Sequence, residues 1–328
     1  MLRRMRRIAA LLVPFALALA AVGCPGTEQD FSTPTQDAEP GPPDAAVEAE
    51  AGPPQPVRVM NWNVKNLYND KRDSLEIAEA DETIVPTAEY QAKLDAISGV
   101  ISGEKPQVVI LQEVENQAVV DDLGQKLGGY PHRAITQGND PRGIDIAVLS
   151  ELAFQLGPSH KDEFFKASTD PTQTFKFARD VLEVHLNVNT RHLALLGIHF
   201  KAEDGDPKSA VKRIAEAEQT RKIATGIRLA DQYAAIVVLG DFNCTPGSDP
   251  MNALAGSAPL LFSSATETMP AAERYSVTFG GNPQLYDDQI VDPTAKSLLD
   301  PGSVTILHAG AVNTASDHDP VVATYQLH

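Results

Sequence analysis

Cysteine is nearly absent from this 328-residue chain, which has only Cys24 and Cys244. A disulfide framework is therefore excluded as the device that holds the fold, and a chain of this length buries enough core to manage without one. Tryptophan occurs once, at Trp62. Lys and Arg are missing altogether from residues 25–56, a stretch rich in Pro, Gly and Ala that carries Glu28, Asp30, Asp37, Glu39, Asp44, Glu48 and Glu50. The longest apolar run, Ile8–Val22, is shorter than the ~20 residues a membrane-spanning helix needs, so a transmembrane anchor is the weaker reading of the N-terminus.

What stands there instead is an export address. Arg3, Arg4, Arg6 and Arg7 precede the apolar run, and Gly23-Cys24 follows it, the order of a secretory signal. Ala21-Val22-Gly23-Cys24 resembles the lipobox of bacterial lipoproteins, although that pattern more often has Leu where Ala21 stands. Residues 1–24 are thus expected to be a signal peptide with Cys24 as the lipidated residue. That places the chain in a bacterial envelope with a membrane anchor, plain secretion being the alternative. Residues 25–56 cannot bury enough apolar surface to offset the entropy of ordering, and their prolines and like charges make an extended tether. Residues 57–328 form the folded domain. The chain carries −17 overall; with the four arginines and the seven linker acids set aside, −14 remains on the domain. Such a balance counts against tight, non-specific nucleic-acid binding, which needs phosphate-neutralising cations. No protein partner is implied. Cys244 reads as a small residue filling a strand-to-loop turn, since nothing near it in sequence marks a nucleophile.

From Val57 onward short β-like runs alternate with helical stretches. Strands are expected at Val57–Trp62, Val108–Leu111, Ile144–Leu149, Val181–Val188, His192–Phe200, Ala235–Leu239, Val304–Leu307 and Val321–Tyr325. Helices are expected at Glu89–Glu104 and Lys208–Ala230. The second turns Ile214, Ala217, Ile223 and Ile227 to the core and Lys212, Arg213, Arg221, Lys222 and Arg228 to solvent. The predicted fold class is α/β: two mixed β-sheets packed face to face with helices outside, in one domain.

Acids and amides recur at the C-terminal ends of the expected strands, where α/β folds collect ligands. Asn63 and Asn66 follow the first strand, Glu113 ends the second, and His199 ends the run Leu193–Phe200. Asp241 and Asn243 lie two apart after Ile236–Leu239, and Asp317-His318 precedes the last strand. Asp288 opens Asp288-Gln289-Ile290-Val291. Each alone is ordinary, because an acid at a strand end is usually a cap or an ion-pair partner and Asx residues favour turns. The bland account has to be accepted six times in one chain.

The set resembles the endonuclease/exonuclease/phosphatase superfamily, which includes pancreatic-type deoxyribonucleases, abasic-site endonucleases, inositol-polyphosphate phosphatases and bacterial sphingomyelinases. The matching pieces are Asn61–Leu67, Leu111–Val114, Arg142–Asp145, Gly197–Lys201, Gly240-Asp241-Phe242-Asn243, Asp288-Gln289-Ile290 and Ser316–Pro320. The resemblance implies a Mg²⁺ ion (or Mn²⁺) held by Glu113 with Asn63 nearby, Asp317 completing that site or a second one; hard cations take such oxygen ligands. It implies His318, oriented by Asp288, as general base or polarising partner at the scissile phosphate, and His199 as a donor to a non-bridging oxygen or to the leaving group. Asp241 and Asn243 would position the attacking water. Arg142 and Arg179 are candidates for binding substrate phosphate, with a structural ion pair equally open for each.

Fold-level analogy does not choose a substrate. The leading expectation is an exported metal-dependent phosphodiesterase, a nuclease acting on nucleic acid. A lipid or inositol-phosphate phosphoesterase of the sphingomyelinase type is the alternative, weakened because no aromatic hairpin signal for membrane insertion is visible. A non-catalytic surface binding protein ranks last, since it predicts loss of one or more of these residues and all are present.

Overall fold

The computed structural model describes residues 53–74, 77–78, 81–308 and 310–328. The signal peptide, Cys24 and all but the last residues of the tether lie outside them. Strands and helices follow in the order β1 (Gln55–Leu67), α1 (Thr87–Glu104), β2 (Val108–Val114), α2 (Gln117–Leu127), β3 (His132–Thr136) and β4 (Asp145–Ser150). Next come β5 (Phe154–Leu156), β6 (Phe165–Ala167), β7 (Asp170–Phe175), β8 (Leu182–Val188), β9 (Arg191–His199) and α3 (Pro207–Ala230). Then follow β10 (Ala235–Asp241), α4 (Asp249–Ala255), β11 (Ser263–Ser264), β12 (Val277–Phe279), β13 (Asn282–Gln284) and β14 (Asp287–Val291). The last elements are α5 (Pro293–Leu298), β15 (Leu299–Ile306), α6 (Gly310–Ala315) and β16 (Val321–Leu327).

Two six-stranded sheets result, ordered β15-β16-β1-β2-β4-β3 and β11-β14-β10-β9-β8-β5. Both are mixed: β1 runs parallel to β2 and β10 parallel to β9, while the other pairs are antiparallel. Strands buried on both faces are apolar throughout, which is why Val108–Leu111 and Ala235–Leu239 read as continuous runs rather than alternating ones. Val57, Val59, Ile110 and Val148 of the first sheet meet Leu182, Leu195, Val237 and Leu239 of the second in a shared inner core. Outside the first sheet, Leu94, Ile97 and Ile101 of α1 and Val119 and Leu123 of α2 cover Trp62 and Leu111. Outside the second, Ile214, Ala217, Ile223 and Ile227 of α3 cover Leu196, Ile198 and Val238. This is the expected face-to-face sandwich with helices outside.

The sheets are also stitched by polar groups. Gln289 of β14 donates through Nε2 to Val59 O and Val321 O, at 3.0 and 3.3 Å, and accepts from Tyr325 Oη at 2.8 Å.

Three details differ from the sequence reading. The first strand begins at Gln55, whose partner is Leu327, two residues before the expected strand start at Val57. α2 carries the N-cap Asn116, accepting from Val119 N, and the left-handed C-cap Gly128; these end signals mark a helix the apolar spacing did not. The cationic face of α3 is only in part a solvated one. Arg213 is buried and donates to Lys201 O and Ala202 O, Arg221 donates to Leu254 O and Ala255 O at the end of α4, and Arg228 reaches Asp292 and Ala234 O. Guanidinium groups satisfy several carbonyls at once, so three of these cations serve packing rather than solvation.

Candidate active site

The site residues gather at one end of the sandwich because strand register aims them there. Asp241 of β10 lies directly beside His199 of β9 and opposite Asp287 of β14. Asp241 is an even number of residues from Leu239 and Val237, and His199 from Leu195 and Leu193, so both share the face of the inner core. Asn63 reaches the same space from β1, in step with Val57 and Val59. Glu113 gets there by an irregularity. The β2 register slips between Gln112 and Val114, and Glu113 has φ 68°, so the extra residue re-aims its carboxylate as β-bulges do. Of the six described non-glycine residues with positive φ, Lys65, Asn66, Glu113 and Asn243 all belong to this rim. Such strain concentrates where the surrounding structure demands a fixed geometry.

Asp241 is the hub. Its Oδ2 accepts from Asn63 Nδ2 at 3.0 Å and lies 3.4 Å from His199 Nε2, while its Oδ1 accepts from Asn243 N at 2.8 Å. Burial raises its pKa, and the facing Asp287 raises it further. Glu113 Oε2 accepts from Asn66 N at 2.9 Å; its Oε1 lies 3.8 Å from Arg142 Nη2 and 3.9 Å from His199 Nε2. Asn243 donates to Phe200 O at 3.0 Å. His199 is fully enclosed; burial, then Arg179, His318 and Arg142, hold its pKa well below the usual imidazole value.

His318 pairs through Nδ1 with Asp287 Oδ2 at 2.7 Å, not with Asp288 as expected. Asp288 stands opposite Gly240 and turns to the other face of β14, where Ser264 Oγ donates to it at 2.5 Å and Thr266 Oγ1 at 3.3 Å. Burial raises the Asp288 carboxyl to about 6, and those hydroxyls hold it back. Strand alternation carried the signal for Asp287: it shares the face of Val291, which packs in the inner core. Burial disfavours charge on His318, yet Asp287, with help from Asp241 and Asp317, lifts its pKa to about 10. The segment before it is tied to β1: Ser316 Oγ donates to Asn63 O at 2.7 Å, and Trp62 Nε1 donates to His318 O at 2.8 Å.

Asp317 does not join Glu113. Its carboxylate is half exposed and pairs with Lys65 Nζ at 2.6 Å. Asn63 presents its NH₂ to Asp241 while its Oδ1 accepts from Lys65 N. The acids that converge are instead Asp241 and Asp287, which with His318 offer ligand atoms within 4.8 Å of one another. Asp287 Oδ1 is buried without a hydrogen-bond partner among the described residues. With Glu113 alongside, this oxygen-rich set fits a hard divalent cation.

Arg142 and Arg179 share Asp140, which sequence reasoning missed. Arg179 is buried, 2.6 Å from Asp140 Oδ2, and donates to Phe200 O at 3.2 Å; Arg142 is more open, 3.0 Å from the same oxygen. Burial works upward on the Asp140 carboxyl, but the two guanidinium groups bring its pKa below the usual value. Together with Lys201 and Lys212 the arginines line a cavity of about 400 Å³. A second cavity of about 570 Å³ beside His318 is lined by Lys65, Lys93, Tyr275, His308 and Asp317. In these cavities Lys65 pairs with Asp317, Lys201 with Asp204, Lys212 with Glu216, and both arginines with Asp140. Cys244 is free and buried in the core under α3, its thiol pushed up to about 12 by burial, as a packing residue would be.

A two-sheet sandwich with a buried aspartate cluster, an Asp–His pair and flanking arginines at one end defines the class. The chain belongs to the endonuclease/exonuclease/phosphatase family, whose model matches residues 58–258. The Asp287–His318 pair lies beyond that stretch. Truncated TDP2 from Caenorhabditis elegans is 16% identical, with TM-score 0.55, over 83% of this chain and 97% of that one. The human Nocturnin catalytic domain with bound sulfate anion is 19% identical, with TM-score 0.58, over 83% and 95%. A family protein from Bacteroides thetaiotaomicron is 14% identical, with TM-score 0.56, over 84% and 96%. At these identities the likeness speaks for the fold alone. No curated protein matches.

Proposed function

We propose that the protein is an exported, Mg²⁺-dependent phosphodiesterase that hydrolyses nucleic-acid phosphodiester bonds. The observation that carries the hydrolase reading is the Asp287–His318 pair set against Asp241, at 2.7 Å and in direct strand register. His318, kept as an imidazolium by Asp287, donates to a phosphoryl oxygen rather than taking a proton. Asp241, its two oxygens fixed by Asn63 Nδ2 and by Asn243 N, is placed to accept the proton of the attacking water. His199, uncharged and enclosed, meets the developing negative charge through a neutral N–H. Arg142 and the basic cavity beside it receive a neighbouring phosphate. A divalent cation would be held on the Glu113 and Asp287 side of this cluster, and when bound would supply charge neutralisation and polarisation of the phosphoryl group. Membership of the endonuclease/exonuclease/phosphatase family supports a phosphoester substrate, and Arg142, Arg179, Lys201 and Lys212 around one cavity favour a polyanionic one.

One observation favours the lipid-directed alternative. The β12–β13 hairpin bridges to His318 through Val277, and Phe279 near its Gly280-Gly281 tip is 49% exposed. An aromatic hairpin beside the site, unseen in the sequence, is therefore present.

The test is a panel of plasmid, single-stranded DNA, RNA, sphingomyelin and a chromogenic diester, with Mg²⁺ or Mn²⁺ and with chelator. Cleavage of nucleic acid that chelation abolishes supports the proposal. Preference for sphingomyelin selects the alternative, and inactivity with every ion on every substrate sinks the enzyme reading.

A further inference from the structure

Two residues past Glu113, at the edge of the catalytic end, three carboxylates come together: Asp73 and Glu82 from the loop segment after β1, and Glu115. Each gives one oxygen to the loop itself. Asp73 Oδ1 accepts from Asn69 Nδ2 and Asn116 Nδ2 at 2.9 and 2.7 Å, and Glu82 Oε1 accepts from Asp73 N and Ser74 N at 2.8 and 2.5 Å. Glu115 Oε2 accepts from Asn69 N at 2.8 Å. One ligand atom from each of the three lies within 4.8 Å of the other two. Among the described residues, none of the three takes part in an ion pair with Lys, Arg or His.

Glu115 adds a separate observation. The residue is 3% exposed, and its Oε1 is buried with no hydrogen-bond partner among the described residues. It lines a cavity of about 220 Å³ with Asp73 and Asn116. A buried carboxylate oxygen is normally hydrogen-bonded or metal-bound, and like charges this close disfavour one another's ionisation. An uncompensated oxygen facing two further acids is the arrangement a cation relieves.

We infer that Asp73, Glu82 and Glu115 bind one divalent cation, Ca²⁺ by its chemistry, at a site distinct from the catalytic one. All-carboxylate oxygen ligands drawn from a loop and a strand end suit Ca²⁺, which accepts irregular geometry, better than Mg²⁺, which demands near-ideal octahedral geometry and keeps its waters. The site has a structural consequence for the active end. Glu113 Oε2 holds Asn66 N at 2.9 Å and Glu115 Oε2 holds Asn69 N at 2.8 Å. A cation at Glu115 therefore fixes the same loop that Glu113 grips, and acts by positioning rather than by touching substrate.

The experiment is calorimetric titration of the chelator-stripped full chain with CaCl₂ alone, paired with thermal unfolding with and without 10 mM Ca²⁺. It uses wild type, Glu113→Gln, Glu82→Gln and the double variant Asp73→Asn/Glu82→Gln. We expect a Ca²⁺ site that survives Glu113→Gln and raises the unfolding midpoint by about 5 °C. In the double variant that binding event is lost and the rise disappears; Glu82→Gln, the milder change, weakens binding at least about tenfold. Loss of the event in Glu113→Gln with retention in the double variant would assign the cation to the catalytic end and overturn the inference. So would the absence of any Ca²⁺ binding by wild type, a result that needs no variant to fold.

Discussion

Asp241 and Asp287 face each other across adjacent antiparallel strands, both almost completely buried, with His318 held against the second at 2.7 Å. Two carboxylates and one imidazolium in a single desolvated corner set the local electrostatics, and they separate Asp287 from its neighbour Asp288 in role.

Replacing Asp287 by Asn is expected to lower kcat by about 10²–10⁴, since a positioned charge that orients a catalytic imidazole is worth that much. Asp288→Asn acts on bonds from Ser264, Thr266 and Gln289 N, away from His318, and should leave kcat within about threefold. Steady-state assays of the two variants check this; equal losses would refute the role given to Asp287.

The raised pKa of Asp241 means that its ionised form works against folding at neutral pH. Asp241→Asn should therefore raise the unfolding midpoint of metal-free protein by a few degrees while removing activity. Calorimetry in chelator, beside an activity assay, measures both; a lowered midpoint would contradict the electrostatic argument.

His318 supplies a pH dependence of definite sign. Its pKa in the folded protein is about 10, above the unfolded value of about 6.5. The stabilisation it provides is complete below the unfolded value and is lost as pH rises through about 10. Metal-free wild type should lose stability between pH 8 and 10.5 more steeply than His318→Gln, as denaturant midpoints across that range will show.

Arg179 and Arg142 should part company. Arg179 is buried against Asp140 and Phe200 O, so Arg179→Ala strands a buried carboxylate and should cost about 3–5 kcal/mol. Arg142 is much more open; its Ala variant should cost under about 1 kcal/mol and raise KM. Urea unfolding and kinetics on both variants separate the two residues.

Gly240→Ala should cost more than about 3 kcal/mol or prevent folding. Gly240 has φ 137°, and a Cβ there would lie 2.1 Å from Ile198 O. Expression yield and unfolding of the variant test this.

The layered sandwich was legible because its strands are apolar on both faces and because Ile214, Ala217, Ile223 and Ile227 keep helical spacing. That Asn63, Glu113, His199, Asp241 and His318 come together at one end was legible because acids, amides and His recur where the expected strands begin or end. Asp287 was not, because choosing between adjacent acids requires knowing which face of β14 looks inward, and that depends on pairing with β10. Asp317 stands apart from Glu113 for a similar reason: its motif is specific, but the partner that draws its carboxylate outward, Lys65, is remote in sequence. Asp140 escaped notice because its meaning lies in the two arginines it joins. The hairpin carrying Phe279 is too short and polar to show an alternating pattern.

Glu113 and Asn63 arrive from one sheet, and Asp241, Asp287 and His199 from the other. Gln289 and Tyr325 hold those sheets in fixed registry near this end. Sliding of one sheet past the other would pull the two groups of site residues apart, so the gap between them is set when the chain folds.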